Sequence, residues 1–368
     1  LYDRLSGERG IFSREASTNK AKENGRRDTK RSDGKTWEYG TNPCSEIILR
    51  PNQFCNLTEV MVRSSDTLED LKNKVRLATI LGTYQSTLTD FKYLRKRWQL
   101  NTEEERLLGV SLTGIMDSLL TNGKAYKDVE SGLKETLTTL KNVAIETNKE
   151  FADKLGINVS AAITCVKPSG TVSQLTDTAS GIHSRHSEYY IRRVRGDMKD
   201  KLTQFLRDSG VSFEHAINGF EDAEQKKPIY NDNMGVFAFP IKSPDNCVTR
   251  DDEVAIDQLK LWLSYYRYWC EHKPSVTVTV REDEWLTVAA WVYEHFDEMS
   301  GISFLPYDGG KYTQAPYEAV DKQTYEQLLK NTPTQIEWSA LSQYEKEDET
   351  KSSQEFACTS DYCEVVDI

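Results

Sequence analysis

The stretch NLTEVMVRSSDTLEDLKNKVRLATI, residues 56–80, contains the two patterns that decide the fold. Its first part, residues 56–62, has the residue types of a strand. From Asp66 onward the apolar residues return at helical spacing, and Asp66 and Glu69 suit the first turn of a helix. A strand followed directly by an amphipathic helix is the repeating unit of α/β proteins.

The same alternation continues on both sides of this stretch, and the helix that begins at residue 66 is predicted to run to 94. Further helices are predicted over residues 103–120, 127–155, 197–208, 252–271, 282–299 and 318–329. Further strands are predicted over residues 158–166, 187–195, 235–240 and 275–280. Because strands alternate with helices, we expect an α/β fold with largely parallel strand pairing.

Composition argues against some classes of function. The chain has 368 residues, of which 38% are hydrophobic, and a formal net charge of -11; its mean hydropathy is -0.63. No apolar run approaches the roughly 20 residues that a membrane span needs, and residues 1–10 lack the apolar core of a signal peptide. An acidic chain is a poor non-specific binder of nucleic acid. We therefore expect a cytoplasmic protein that binds neither membranes nor nucleic acid directly.

The cysteine pattern argues against a framework of structural disulfides. There are seven cysteines, an odd number with irregular spacing, and no C-x-x-C pair. The five histidines do not complete a zinc-binding spacing, so we expect no metal site. In a reducing compartment free thiols are the ordinary state, and a cysteine pair there more often performs redox chemistry.

The two ends of the chain differ from its middle. Residues 1–35 are predicted to be a basic polar loop region, and residues 20–35 carry seven Lys or Arg against three acids. A solvated loop is the first interpretation of that segment, and a phosphate-facing loop is the alternative. Residues 345–368 are polar and charged, which predicts a mobile tail.

The pattern N-x-C-x-E places Asn42, Cys44 and Glu46 at alternate positions. Pro43 disfavours helical backbone at Asn42, and in an extended segment every second residue points to the same side. The sequence therefore predicts an amide, a thiol and a carboxylate that converge on one small ligand. The alternative is a loop cysteine whose polar neighbours satisfy one another.

The segment KPSGTVS, residues 167–173, directly follows the apolar strand predicted over 158–166. A Ser-Gly-Thr turn that opens a helix after a strand offers backbone N–H groups and hydroxyls to an anion. A simple helix cap formed by Pro168 and Ser169 explains the motif equally well.

Cys358 and Cys363 form a C-x4-C pair in the predicted tail, where little else is apolar. An exposed pair on a flexible arm suits thiol–disulfide exchange. Two unrelated tail thiols are the alternative.

In this order, the motifs resemble the catalytic chain of ribonucleotide reductases. The resemblance covers most of the chain from about residue 36. It is closest to the adenosylcobalamin-dependent class, in which one polypeptide needs no radical-donating subunit. The matching segments are NPCSEI (42–47), CNL (55–57), KPSGT (167–171), FLPYDGGKYTQAPYE (304–318) and the terminal C-x4-C.

The resemblance implies reduction of ribonucleoside triphosphates or diphosphates by thiyl-radical chemistry, started by adenosylcobalamin. Cys44 matches the thiyl-radical position, and Glu46 matches the base on the ribose 3′-hydroxyl. Asn42 matches the residue that binds the ribose hydroxyls. Cys55 matches one of the two thiols that deliver electrons and become a disulfide.

Two further sites are implied by the same resemblance. The loop that holds substrate phosphates matches Pro168, Ser169, Gly170 and Thr171. The C-terminal cysteine pair matches the tail that re-reduces the active-site disulfide and is itself reduced by thioredoxin or a similar dithiol donor.

The resemblance also implies a fold, a ten-stranded α/β barrel in two halves with Cys44 on a finger loop inside it. Residues 36–344 match the C-terminal half of that barrel, and residues 345–368 match its redox tail. The thiol that pairs with Cys55 precedes the finger loop in the family, so we expect it outside this chain. We accordingly expect the chain to be the C-terminal portion of a longer reductase and to need the N-terminal half.

Two other functions stay open at this point. One is the large subunit of a diiron/tyrosyl-radical reductase, although the pair Tyr189 and Tyr190 precedes the last strands and is not assigned a radical-relay role. The other is a catalytically silent nucleotide-binding or thiol-relay protein. Glu46 argues against the second, because a binding protein needs neither that carboxylate nor a thiol beside it.

Overall fold

The strand and helix predicted in the opening stretch are both present, and a capping box separates them. The strand covers Asn56–Met61 and the helix covers Leu68–Gln85. The Thr67 side chain accepts a hydrogen bond from the Asp70 N–H, while the Asp70 carboxylate accepts one from the Thr67 N–H. These bonds satisfy donors that the first turn leaves free, so the helix begins at Leu68. It ends before residue 94 because the run STLTD at 86–90 favours turns.

The computed structural model describes residues 10–31, 33–222, 227–245, 247–307 and 313–346, and the backbone of 356–359 and 362–365. The strands are β1 (Gly10–Ile11), β2 (Gly40–Thr41), β3 (Ile48–Leu49), β4 (Asn56–Met61), β5 (Leu108–Thr113), β6 (Thr164–Cys165), β7 (Tyr189–Asp197), β8 (Phe213–Asp222), β9 (Lys227–Lys242), β10 (Thr277–Val280), β11 (Ile302–Pro306), β12 (Tyr317–Ala319), β13 (Phe356–Thr359) and β14 (Tyr362–Val365). The helices are α1 (Arg14–Glu23), α2 (Leu68–Gln85), α3 (Lys96–Glu105), α4 (Val129–Leu155), α5 (Val172–Leu175), α6 (Lys201–Asp208), α7 (Ala255–Tyr268), α8 (Trp285–Glu294) and α9 (Lys322–Asn331). Within these described ranges no helix is long and apolar enough to cross a membrane.

The chain forms two compact units. The first contains Leu1–Arg185 and Pro244–Tyr307, and the second contains His186–Ser243 and Asp308–Ile368. The prediction of one region over residues 36–344 did not anticipate this division.

Parallel strands form the main sheet of the first unit. β5 lies between β4 and β6 and is parallel to both, and β10 is parallel to β11. A parallel bridge between Val166 and Pro274 joins the end of β6 to the segment before β10. The strand order is therefore β4-β5-β6-β10-β11, and β1 pairs antiparallel with β11. The predicted α/β fold with largely parallel pairing is confirmed for this unit.

Two tryptophans from the α7 region stabilise the joint between β6 and β10. Both side chains are fully buried. The indole N–H of Trp262 donates to the Pro274 carbonyl at 2.9 Å, and that of Trp269 donates to the Cys165 carbonyl at 2.7 Å. Because the ladder at this joint is reduced to a single bridge, side-chain donors satisfy carbonyls that a continuous ladder would pair.

The helix predicted over residues 103–120 is wrong in its second part, where the chain forms β5. All six residues of Leu108–Thr113 are buried. A strand covered on both faces appears in the sequence as a continuous apolar run, which spacing alone does not distinguish from a helix. Gly109 suits this central position, because a Cβ there would overlap the Leu57 side chain on β4.

A buried ion network fastens the basic N-terminal segment to this unit. The predicted loop region 1–35 contains one short helix, α1, and Arg27 after it is buried rather than solvated. Arg27 donates to both carboxylate oxygens of Glu105 at 2.8 Å, and Arg50 Nη2 lies 2.9 Å from Glu105 Oε1. Gln53 Nε2 donates to the same carboxylate. These bonds offset the cost of removing the charges from water and fix the segment that precedes β4.

One histidine fastens the β2–β3 pair to β5. The Ile48 N–H donates to His272 Nδ1 at 3.3 Å, so the ring proton lies on Nε2, which donates to the Leu108 carbonyl at 3.0 Å. Burial, assisted by the Arg27 cation, lowers the pKa of His272 to about 3. The ring is therefore neutral near pH 7, and protonating Nδ1 would break its bond with Ile48.

The second unit is built on an antiparallel sheet with the order β12-β7-β9-β8. Phe205 on α6 packs against Trp338 and Tyr344, with ring centroids 5.6 and 5.5 Å apart. β13 and β14 pair antiparallel, and this register places Cys358 opposite Cys363.

We expect Glu105→Gln to lower the free energy of unfolding by about 3–5 kcal/mol, because it leaves the buried Arg27 guanidinium without its carboxylate and Arg50 with Glu104 alone. Denaturant unfolding of the whole chain measures this. The matched control is Glu69→Gln, which alters an exposed ion pair with Lys72 and should change stability little. Equal effects of the two substitutions would contradict the structural role of the network.

We expect His272 to make the protein less stable in acid. The pKa of His272 is about 3 in the folded chain and about 6.5 in the unfolded chain. Below pH 6.5 the unfolded chain therefore binds a proton at this residue and the folded chain does not. The folded protein therefore loses stability as pH falls, and His272 accounts for about 2 kcal/mol of that loss between pH 7.5 and pH 5. Urea unfolding at the two pH values should show a smaller loss in His272→Gln, and identical losses would refute the assignment.

Candidate functional site

The chain reverses direction at the predicted N-x-C-x-E motif. β2 pairs antiparallel with β3, so residues 42–47 form the loop of a hairpin. The Ser45 N–H donates to the Asn42 carbonyl at 2.9 Å, and Ser45 adopts a left-handed φ of 69°. Pro43 occupies the second position of this turn, which its fixed φ favours. The extended segment predicted here is therefore wrong, because a proline after Asn42 fits a turn as well as a strand.

The hairpin separates the three predicted groups by burial. Cys44 is exposed at the tip, whereas Glu46 is buried with 2% of its surface exposed. Asn42 uses its side-chain oxygen within the turn, where it accepts the Ile47 N–H at 3.0 Å. The groups do not line one face of a strand, but the turn still keeps Cys44 and Glu46 within electrostatic range of each other.

Glu46 lies at the centre of a cluster of ionisable groups. Its charge acts on Cys44, Cys55 and Lys273. The Glu46 Oε2 atom is buried and accepts no hydrogen bond from the described residues. Glu59 and Glu271 have such an oxygen too, but each of them pairs with a basic side chain, whereas Glu46 forms no ion pair within 4 Å among the described residues. The free oxygen of Glu46 marks a place where a ligand hydroxyl could donate.

The two predicted thiols are held in protonated form. Desolvation and the Glu46 carboxylate raise the pKa of Cys44, and the Lys167 ammonium partly opposes this. The same two causes, burial first, raise the pKa of the Cys55 thiol, which precedes β4. Neither cysteine is therefore a thiolate nucleophile near neutral pH.

Two residues of this cluster escaped the sequence analysis. Cys165 on β6 is fully buried, and burial first, then the neighbouring Cys270, Cys55 and Glu46, raises the pKa of its thiol. Lys273 is fully buried as well, and its Nζ donates to the Ser45 hydroxyl at 2.7 Å. The available signal was a lysine directly before the predicted strand 275–280, although Glu271 two residues upstream offered an ordinary ion pair as its explanation.

The KPSGT loop lies near the hairpin, since Lys167 influences Cys44. Ser169 is buried, and its hydroxyl accepts the Ser173 N–H at 3.0 Å. Gly170 and Thr171 are exposed, and a Cβ on Gly170 would meet open space. The loop therefore uses the Ser169 hydroxyl as a cap and leaves its exposed residues open to a ligand.

Two predicted features reach residues that the structure does not describe. The segment 304–318 includes residues 308–312, which lie outside the described residues. For the C-terminal cysteines the structure describes backbone alone, and in that backbone Cys358 is opposite Cys363.

Residues 24–160 match the family model described as ribonucleotide reductase, barrel domain. Among curated proteins, an adenosylcobalamin-dependent ribonucleoside-triphosphate reductase of Lactobacillus gasseri is 30% identical over 311 residues, 78% of this chain and 40% of the relative. The protein of the same description from Euglena gracilis is 28% identical and covers 88% of this chain and 42% of the relative. The chain thus spans about two fifths of the length of these relatives.

Solved structures give a consistent result. The chain is similar to a crystal structure of a B12-dependent (class II) ribonucleotide reductase, with a TM-score of 0.73, 26% identity, and coverage of 94% of this chain and 49% of that one. The class Id reductase α subunit of Actinobacillus ureae gives a TM-score of 0.50 at 13% identity, which concerns the fold alone. Residues 24–160 therefore match the ribonucleotide reductase barrel domain, and most of the chain is similar in sequence to adenosylcobalamin-dependent ribonucleoside-triphosphate reductases.

Proposed function

We propose that this chain carries the radical site of an adenosylcobalamin-dependent ribonucleoside-triphosphate reductase, which supplies deoxyribonucleotides for DNA synthesis. The observation that carries the proposal is the β2–β3 hairpin, with the exposed Cys44 thiol at its tip and the buried Glu46 carboxyl behind it. The unpaired oxygen of Glu46 is suited to accept a hydrogen bond from a substrate hydroxyl. A protein that only binds nucleotides needs neither group.

The proposed reaction starts at Cys44. A thiyl radical there takes the 3′-hydrogen of the ribose, which is feasible because S–H and activated C–H bonds have similar strengths. The raised pKa of Cys44 supports this role, since the hydrogen atom must be removed from a protonated thiol. Glu46 accepts the proton of the 3′-hydroxyl, which eases departure of the 2′-hydroxyl as water.

Two thiols complete the electron balance. Cys55 and a second thiol supply two hydrogen atoms and become a disulfide, and the net change is loss of one water from the substrate and one disulfide gained. Cys44 then returns its hydrogen to C3′ and is again the thiyl radical. We assign the second thiol to the part of the enzyme that this chain does not contain, because the chain spans about 40% of its Lactobacillus gasseri relative.

Substrate binding is assigned to the turn and to the KPSGT loop. The Asn42 oxygen is engaged in its own turn, so we propose that its amide nitrogen donates to the ribose hydroxyls. The substrate phosphates are assigned to Pro168, Ser169, Gly170 and Thr171. The exposure of the last two and the nearness of Lys167 to Cys44 support a triphosphate bound beside the hairpin.

Adenosylcobalamin is the proposed cofactor. When bound, it supplies the radical that starts the chemistry. Cys44 fits contact with it, because its thiol is exposed and protonated. Of the described residues, Cys44 is the one we place against the cofactor, and we assign the rest of that binding surface to the remainder of the enzyme.

The five parallel strands of the first unit are proposed to be one half of a ten-stranded barrel, with the β2–β3 hairpin as its finger loop. The order β4-β5-β6-β10-β11 has the strand number of such a half. A finger loop would need firm anchoring at its base, and His272 supplies this between Ile48 and β5.

The C-terminal cysteines are proposed to re-reduce the disulfide that contains Cys55. Residues opposite each other in an antiparallel pair have Cα atoms about 4.5–5.5 Å apart, within the range that a disulfide needs. The register of Cys358 and Cys363 supports such a pair. Thioredoxin or a similar dithiol donor would complete the cycle, as a reducing compartment such as the cytoplasm provides.

We expect no turnover from the 368-residue chain alone with adenosylcobalamin, CTP and dithiothreitol, since the second thiol is missing. Turnover should appear in a chimera in which this chain replaces the matching part of the Lactobacillus gasseri enzyme. Cys44→Ser should abolish that turnover, because the O–H bond of serine is too strong to give a radical where the S–H bond of cysteine does. Cys247→Ser is the matched control and should remain active. Turnover by the chain alone, or by Cys44→Ser, would contradict the proposal.

In the same chimera, Cys358→Ser should separate two kinds of turnover. Thioredoxin-driven cycling should stop, because the tail no longer carries electrons, whereas cycling driven by a small dithiol that reaches the active site should continue. Both are measured as deoxynucleotide formed per enzyme. Unchanged thioredoxin-driven cycling would refute the role of the tail.

A further inference from the structure

Lys273 is a buried cation that the proposed reaction does not use. It has no exposed surface, although lysine is rarely buried without a close acidic partner. Its Nζ donates to the Ser45 hydroxyl at 2.7 Å and to the Ser300 carbonyl at 2.5 Å. It also lies 5.3 Å from the centroid of the Phe12 ring. Each of these contacts is specific, so this is not a lysine that folds back on apolar surface.

The backbone of Lys273 is tied to the same region as its side chain. Its N–H donates to the Glu46 carbonyl at 3.2 Å, and its carbonyl accepts the Val166 N–H at 3.2 Å. Lys273 therefore donates hydrogen bonds to two successive residues of the hairpin, to Ser45 from its side chain and to Glu46 from its backbone. The sheet anchors it at the end of β6.

Ser45 is the residue that most needs such support. Its φ of 69° lies in the left-handed region, which a residue with a Cβ disfavours. Cys44 directly precedes it, so a change of backbone at Ser45 redirects the thiol. Gly301 completes the arrangement, because a Cβ there would overlap both Lys273 Nζ and the Ser45 hydroxyl.

We propose that Lys273 is a positioning residue: the hydrogen bond from its Nζ holds Ser45 in the left-handed conformation and thereby fixes the direction of the Cys44 thiol. Its importance for turnover rests on the proposed function, but the positioning itself does not. Electrostatics agree with this role. Burial lowers the pKa of Lys273 to about 7, and the Glu46 carboxylate opposes that fall, so the cation and the carboxylate stabilise each other inside the unit.

The test measures the reaction rate of the Cys44 thiol with iodoacetamide in the 368-residue chain, with the labelled residue located by mass spectrometry. Lys273→Met and Ser45→Ala should each raise the rate about fivefold, because without this hydrogen bond the turn moves and the already exposed thiol is free to orient toward the reagent. The double variant should react no faster than either single variant, since both remove the same hydrogen bond.

Glycine provides the rescue that distinguishes positioning from general destabilisation. Glycine adopts a left-handed φ without support, so Ser45→Gly in the Lys273→Met background should bring the rate back to within about twofold of the wild type. The matched control is Lys20→Met, which removes another buried lysine whose hydrogen bonds go to Glu23 and the Tyr266 carbonyl and not to the hairpin. Its Cys44 rate should be unchanged.

Two results would overturn the proposal. One is a Cys44 rate in Lys273→Met equal to that of the wild type, and the other is a glycine variant that does not restore the rate. Unfolding midpoints of all variants show whether each is folded, and Ser45→Ala, which removes only a hydroxyl, keeps the test decisive if Lys273→Met is unstable. The labelling needs neither cofactor nor substrate, so its failure is distinct from a failure of the Cys44→Ser turnover test.

Discussion

The reversal of the chain between β2 and β3 is the constraint on which the rest of the candidate site depends. It places Cys44 at an exposed tip and turns Glu46 into the interior two residues later. An extended segment would have put both side chains on one face with similar exposure. The hairpin instead places the Cys44 thiol at the surface and the Glu46 carboxyl in the interior, close to each other. Two such groups can act on different atoms of one substrate.

A hairpin this short does not hold its own conformation, so the surrounding structure supplies its stability. His272 joins its second strand to β5, and Lys273 joins its turn to the end of β6. These two residues are neighbours in the sequence and lie where β6 and β10 are joined by a single bridge. A weak point in the sheet ladder is thus also the place from which the reactive loop is anchored. The indole donors of Trp262 and Trp269 keep that joint intact.

The sequence predicts what depends on local patterns and misses what depends on tertiary contacts. β4, α2 and α4 follow from apolar periodicity and capping, which neighbouring residues alone determine. β5 was predicted as helix because burial on both faces removes the alternation that identifies a strand. The pattern N-x-C-x-E predicts the residue types of the candidate site. It does not predict the turn, because Pro43 suits a turn and an extended segment equally. The sequence does not predict the role of Lys273, because its hydrogen-bond partners, Ser45 and Ser300, lie far from it in the sequence.

Two buried glutamates show how one side chain serves structure and another serves chemistry in the same unit. The Glu105 carboxylate accepts hydrogen bonds from two arginines and a glutamine. Both of its oxygens therefore stabilise the fold, and neither is left to accept a bond from a ligand. Glu46 is equally buried, yet one of its oxygens has no partner among the described residues, and Lys273, on which its charge acts, donates to Ser45 and Ser300 instead. An unsatisfied buried acceptor costs about 1–3 kcal/mol, and a fold keeps it only when the surrounding contacts over-determine its position. The hairpin, anchored at His272 and Lys273, is such a surrounding, and this supports the proposal that a substrate contacts Glu46 rather than Glu105.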